Sequence, residues 1–188
     1  EHLERRKSVI GGLAVSGGEP LLSPALGDLI RRARELGLAV KIDTNGTLAD
    51  RLETIISDPA LRPDMIAIDV KTSPSRYREL TIEPEAGERA GSELLRSLEI
   101  LERHASGTAG TRPLRVEYRT VLVPDLVDRP EIEEIAGLIP KSADWELAAF
   151  VPGACLDASW NEKEPYGPAA TGELVALAKG LISGARLR

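Results

Sequence analysis

The chain has 188 residues, enough to bury a sizeable core within one domain. Hydrophobic residues make up 42% and charged residues 29%, the balance of a globular protein rather than a disordered or fibrous one. A formal net charge of -6, with both signs interspersed, argues against a nucleic-acid backbone or an anionic membrane surface as partner, and the single cysteine excludes internal disulfides and any metal cluster held by several thiolates of this chain.

No apolar run approaches the length of a membrane span, and Glu1-His2-Leu3-Glu4-Arg5-Arg6 has nothing of a signal peptide, so a cytoplasmic location is expected. The stretch Leu3 to Lys7 reads as the end of a helix, which suggests a fragment. Strand-like runs follow at Leu13 to Ser16, Ala39 to Asp43, Met65 to Lys71, Leu114 to Val123 and Trp145 to Val151. Between them, Ser23 caps a helix with Pro24 at its first position, apolar residues at three-to-four spacing and an end at Gly37. Further helices are expected at Leu48 to Ser57, Ser75 to Leu80, Ser92 to His104, Pro130 to Leu138 and Thr171 to Ile182, with loops over Glu83 to Gly91 and Asp157 to Ala170. This alternation predicts βαβ units on a parallel sheet within a single domain spanning residues 1–188. An incomplete barrel and an open doubly wound sheet both satisfy it, and in either one binding residues belong at the carboxyl ends of the strands.

Three constellations sit at such ends. In Ser16-Gly17-Gly18-Glu19-Pro20 the two glycines let the backbone turn sharply and let a ligand approach without a Cβ in the way; Glu19 offers an acceptor for an ammonium group and Pro20 stiffens the exit. A plain strand-to-helix turn accounts for the same residues. In Asp43-Thr44-Asn45-Gly46, Asn-Gly supplies a tight turn, with Thr47 capping the next helix, but turn chemistry leaves the carboxylate of Asp43 unexplained at a strand end where desolvation is costly. In Asp69-Val70-Lys71 the carboxylate and the ammonium lie two apart, on one side of a strand, either as a structural ion pair or with Lys71 facing a ligand carboxylate.

Weaker candidates come later. Arg119, inside Val116 to Pro124, either meets an anionic group or is a surface charge, and Phe150-Val151-Pro152-Gly153 ends a strand in a turn suited to a flat ligand or to any loop. Cys155 reads as a small hydrophobe, His104 as a partner of a helix dipole, Glu131, Glu133 and Glu134 as a first helical turn, and Arg31, Arg32 and Arg34 as a solvated helix face.

Together the three constellations, in this order and spacing, resemble the radical S-adenosylmethionine superfamily, particularly the activating enzymes of anaerobic ribonucleotide reductase and pyruvate formate-lyase; the resemblance runs from about Gly12 to Leu122 and loosely on to Gly153. It implies an α/β fold, a partial (β/α)6 TIM-like barrel truncated at its N-terminus, with about five parallel strands. It implies S-adenosylmethionine as cofactor, bound through Ser16, Gly17, Gly18, Glu19, Pro20, Asp43, Thr44, Asn45, Asp69, Lys71 and Arg119. Family members also carry a four-iron four-sulfur cluster on a C-x-x-x-C-x-x-C loop that is not in this chain, and use it to release a 5′-deoxyadenosyl radical that abstracts hydrogen. In activating enzymes the hydrogen comes from a glycine Cα of a glycyl-radical enzyme, with electrons from a flavodoxin or ferredoxin type donor. By that likeness the parent enzyme makes the radical, the ribonucleotide reductase activators are the preferred subgroup, and this chain alone is expected to be inactive. Two other readings stay open: a cluster-free α/β binding module, and a barrel enzyme using Lys71 and Asp69 in acid-base or Schiff-base chemistry.

Overall fold

The computed structural model describes residues 2–6, 9–105, 112–153, 155 and 157–188; Lys7 lies outside them. A short helix α1 (His2–Arg6) is followed by β1 (Gly12–Val15), α2 (Leu26–Glu35), β2 (Ala39–Thr44), α3 (Ala49–Ser57), β3 (Met65–Asp69) and α4 (Pro84–Ala105). The chain then runs through β4 (Arg115–Leu122), α5 (Arg129–Leu138), β5 (Asp144–Ala149), α6 (Pro168–Leu181) and β6 (Gly184–Leu187). The six strands form one sheet in the order β1-β2-β3-β4-β5-β6, without the reversal of order that defines a doubly wound sheet. This is the α/β architecture expected from the alternation, with six strands in place of five.

By contacts the chain divides into two compact units, residues Glu1–Asp69 with Glu93–Glu117, and residues Val70–Ser92 with Tyr118–Arg188. In the first, β1, β2 and β3 pair in parallel, with Val15 opposite Ile42 and Asp43 opposite Ala67. Val40 and Ile42 point to the buried face of β2, which α2 covers, and Ile30, Ala33, Leu52, Ile55 and Ile66 complete a dry core. Arg62 is 5% exposed in this unit. It donates to the carbonyls of Ile56 (3.0 Å), His104 (2.9 Å) and Arg112 (2.8 Å), so a buried guanidinium satisfies three backbone acceptors. Its Nη1 also lies 3.2 Å from His104 Nδ1. Because a guanidinium only donates, Nδ1 is the acceptor and Nε2 carries the proton toward Glu53 Oε1, at 3.1 Å. His104 is thus a link between two side chains, beyond the helix-dipole role expected of it.

In the second unit β5 and β6 pair in parallel, with Trp145 opposite Ala185. Trp145 is fully buried and its indole donates to Thr120 Oγ1 (3.0 Å), while Thr120 Oγ1 donates to the carbonyl of Val70 (2.8 Å). Asp128 and Glu131 form a reciprocal capping box on α5, so Glu131 is buried and also meets Arg76 at 3.2 Å.

Three expectations need correction. Residues 83–91 are not a loop: α4 begins at Pro84 and runs unbroken. Its glycines are there for close packing, since a Cβ on Gly87 would lie 2.4 Å from the carbonyl oxygen of Tyr77 and one on Gly91 2.5 Å from that of Pro74. Residues 157–170 are only partly irregular, containing a 3-10 turn at Ala158–Glu162 and the first residues of α6. Nor do Ser23 and Thr47 cap their helices: the cap positions are Ala25 and Leu48, without side-chain cap bonds, while α2 ends as read, with Gly37 at φ 74°.

Candidate functional site

The first unit builds its strand tips around one carboxylate. Ser16, Gly17 and Gly18 leave β1 fully exposed, with φ of 93° at Gly17 and 54° at Gly18, and a Cβ added to either glycine would meet nothing within 4 Å. These glycines are therefore needed for their left-handed backbone conformation, and the space in front of them is open. Glu19 then turns inward. Its Oε1 accepts from the N–H of Leu21 (3.1 Å) and the hydroxyl of Thr44 (2.9 Å), and its Oε2 accepts from the N–H of Asn45 (2.8 Å). Three of a carboxylate's roughly four acceptor positions are occupied from within. Glu19 thereby fastens the tip of β1 to the tip of β2, and the buried Pro20 opens the following 3-10 turn.

The β2 tip is held equally firmly. Thr44 Oγ1 accepts from the N–H of Gly46 (3.1 Å), and Asn45 Oδ1 accepts from the N–H (2.9 Å) and hydroxyl (2.7 Å) of Thr47, an Asx turn. Gly46 has φ 73°, and a Cβ there would stand 2.8 Å from Ile68 Cδ1 and 2.9 Å from Leu94 Cδ1. From below, Ser97 donates a buried 2.8 Å hydrogen bond to the Gly46 carbonyl. No other residue fits at Gly46 without moving the core.

The opposite face of β2 is charged. Lys41 Nζ lies 3.4 Å from Asp43 Oδ1 and 3.3 Å from Glu117 Oε1, one ammonium between two carboxylates whose side chains are 17% and 10% exposed. Asp69 shares this face, because Asp43 pairs with Ala67 and residues two apart on a strand point the same way. The first unit thus gathers Glu19, Thr44 and Asn45 in one hydrogen-bonded group and Asp43 in an ion cluster beside it. Lys41 as a site member, and Glu117 with it, were not foreseen; the signal was the alternation of charge with apolar residues in Lys41-Ile42-Asp43 and in Glu117-Tyr118-Arg119.

Lys71 and Arg119 belong to the second unit. Lys71 is exposed, and its backbone N–H donates to the buried Tyr77 hydroxyl (3.1 Å). The neighbouring Val70 N–H donates to the carbonyl of the half-buried Arg119 (2.8 Å), so the backbone at Lys71 and β4 are tied together. After β5, the side chain of Asn161 accepts from the N–H groups of Gly153 (2.9 Å) and Cys155 (3.0 Å), leaving Cys155 half-buried and Val151 exposed. Among the described residues no group of three or more His, Cys, Asp or Glu side chains is arranged to hold a metal ion, and no helix is long and apolar enough to cross a membrane.

No family model matches the chain. Its sequence is 30% identical over 177 residues, 94% of the chain and 70% of the relative, to the protein of Methanocaldococcus jannaschii named "Putative glycyl-radical enzyme activating enzyme MJ1227". It is 31% identical to the 7-carboxy-7-deazaguanine synthase of Methanopyrus kandleri over 73% of the chain and 58% of that protein. It is 35% identical to the S-adenosyl-L-methionine-dependent tRNA 4-demethylwyosine synthase of Pyrococcus horikoshii over 45% of the chain and 24% of that protein. Among solved structures the fold is similar to archaeal TYW1, at a TM-score of 0.62 and 20% identity, covering 92% of the chain and 50% of that structure. The chain thus spans between a quarter and seven tenths of the length of these proteins. On the match to the first relative, supported by the fold, the chain belongs to the radical S-adenosylmethionine family.

Proposed function

We propose that the chain is the S-adenosylmethionine-binding part of a glycyl-radical activating enzyme, and that the amino-acid end of the nucleoside lies against the tips of β1 and β2. The observation that supports this most is the open, left-handed Gly17-Gly18 backbone, held at a fixed position by the bonds of Glu19 to Thr44 and Asn45. A backbone tip with empty space where side chains would stand is a cradle for a ligand, and one locked to its neighbour loses little freedom on binding. In this reading exposed backbone at Ser16 to Gly18 meets the ammonium and Glu19 positions that backbone. Asp43 and Asp69 make the adjacent sheet face acidic toward the same ammonium.

S-adenosylmethionine supplies the family's hydrogen-abstraction chemistry. A four-iron four-sulfur cluster does not fit the residues of this chain, since a single cysteine cannot replace a set of thiolates. The activating type, with a glycine Cα of a partner enzyme as target and a flavodoxin or ferredoxin as donor, is favoured by the name of the M. jannaschii relative and by the likeness of residues 116–120 and 150–153 to ribonucleotide reductase activators.

Calorimetric titration of the folded chain with S-adenosylmethionine tests the binding claim. Saturable binding is expected, weakened at least about tenfold in Gly18→Ala, where the new methyl enters the open space in front of the tip. A folded sample giving no heat overturns the proposal.

A further inference from the structure

At the other end of the same strands, where residues 34, 64 and 112 precede β2, β3 and β4, the first unit has a cleft of about 360 Å³ bounded by Arg31, Arg34, Glu35, Pro59, Ala60 and Arg112. We propose that this cleft binds a small organic phosphate, gripped by the guanidinium groups of Arg31, Arg34 and Arg112.

The three arginines come from two separate segments, α2 and the approach to β4, so their convergence is a product of the fold. Arg34 is pre-ordered: Nη1 donates to Asp64 Oδ2 (2.8 Å), Nη2 donates to the carbonyl of Arg62 (2.6 Å), and the side chain is only 18% exposed. Its Nε is buried and has no acceptor among the described residues. Arg112 approaches the same carboxylate from the other side, at 3.3 Å from Asp64 Oδ1. One carboxylate between two guanidiniums leaves positive charge over. Arg31 is paired with Asp28 in an exposed i,i+3 contact of 2.8 Å, a kind worth at most about 1 kcal/mol and readily exchanged for a better partner. Glu35, the carboxylate of the lining, is turned to Arg32 at 2.6 Å.

The result is a concave cationic surface on a chain whose net charge is -6. Guanidinium groups that approach from two separate segments can share the oxygens of a tetrahedral oxyanion, which accepts from several sides at once. Pro59 and Ala60 beside the arginines offer a place along which an organic part of the phosphate can lie.

The test is calorimetry on the full chain in a phosphate-free, low-salt buffer, with pyrophosphate as probe and malonate as the dicarboxylate arm. Saturable pyrophosphate binding is expected, weaker with added salt and about tenfold weaker in Arg31→Ala, with an unchanged thermal midpoint, and in Arg112→Ala. Arg34→Lys, which keeps the charge and removes the fork, is expected to lose affinity comparably. Malonate binding as tight as pyrophosphate, equal affinity in the Arg31→Ala and Arg112→Ala variants, or no saturation by about 10 mM would overturn the proposal.

Discussion

The two ends of the strands in the first unit use charge in opposite ways. At the carboxyl ends of β1 and β2 the carboxylates are engaged, Glu19 by three internal donors and Asp43 by Lys41, so the surface left for a ligand is exposed glycine backbone. At the amino ends Arg34 and Arg112 share the carboxylate of Asp64, Arg31 pairs with Asp28 and Glu35 is turned to Arg32, and guanidinium is left at the surface. A carboxylate stitched into backbone fixes a loop and leaves its N–H and C=O groups to do the recognising. A guanidinium with five donors can hold structure with some and still present others.

Breaking each end in turn sharpens this contrast. The largest effect is expected at Gly46, where Gly46→Ala adds a methyl into contact with Ile68 and Leu94 and strains a left-handed backbone, costing about 2–4 kcal/mol in a denaturant titration. A cost near zero would mean that the β2 tip is soft. Next comes Glu19→Ala, which leaves the Leu21 and Asn45 N–H groups and the Thr44 hydroxyl without their acceptor and is expected to cost roughly 2–3 kcal/mol, together with nucleoside affinity. If Glu19 touches the ligand instead of fastening the loop, affinity falls and stability does not.

At the amino ends Asp64→Asn is expected to cost about 1–2 kcal/mol, because its charge-assisted bonds to Arg34 and Arg112 are partly solvated. Burial alone would raise the pKa of Asp64, but the Val40 N–H and the two arginines hold it below the usual carboxylate value; burial likewise works against Glu53, whose bonds from His104 and Arg103 bring it below. A carboxylate with a depressed folded pKa stabilises above its unfolded value, about 4, and that stability is lost as pH falls through the folded value. Urea midpoints should therefore drop below about pH 4, and less steeply in Asp64→Asn than in the wild type. Identical slopes would remove Asp64 from the account. The smallest effect is expected at Arg186, whose exposed pairs with Asp144 and Glu146 in the second unit should contribute less than about 1 kcal/mol on Arg186→Ala.

Much of this was legible in the sequence, because the informative signals were local. Gly17-Gly18-Glu19-Pro20 and Asp43-Thr44-Asn45-Gly46 declare turns, caps and positive φ within a few residues, and the alternation of strand and helix declares the parallel sheet. What stayed hidden depends on distance or on close packing. Lys41 and Glu117 are 76 positions apart and meet only through strand order. Gly87 and Gly91 look like helix breakers until the backbone of 74–78 is seen to lie against them. Arg34 reads as one of several solvated arginines, and only the fold brings Asp64 to it. The four-residue β6, Gly184–Leu187, is too short and too polar at Arg186 to announce itself, and it exists because β5 offers it a ladder.

The most direct measurement is an amide-resolved NMR titration of the chain with S-adenosylmethionine. Shift changes concentrated in Ser16 to Gly18 and Asp43 to Asn45, with Arg34 and Arg112 undisturbed, are predicted. Shifts confined to the arginine cleft, or none anywhere in a folded sample, would contradict the placement of the nucleoside at the strand tips.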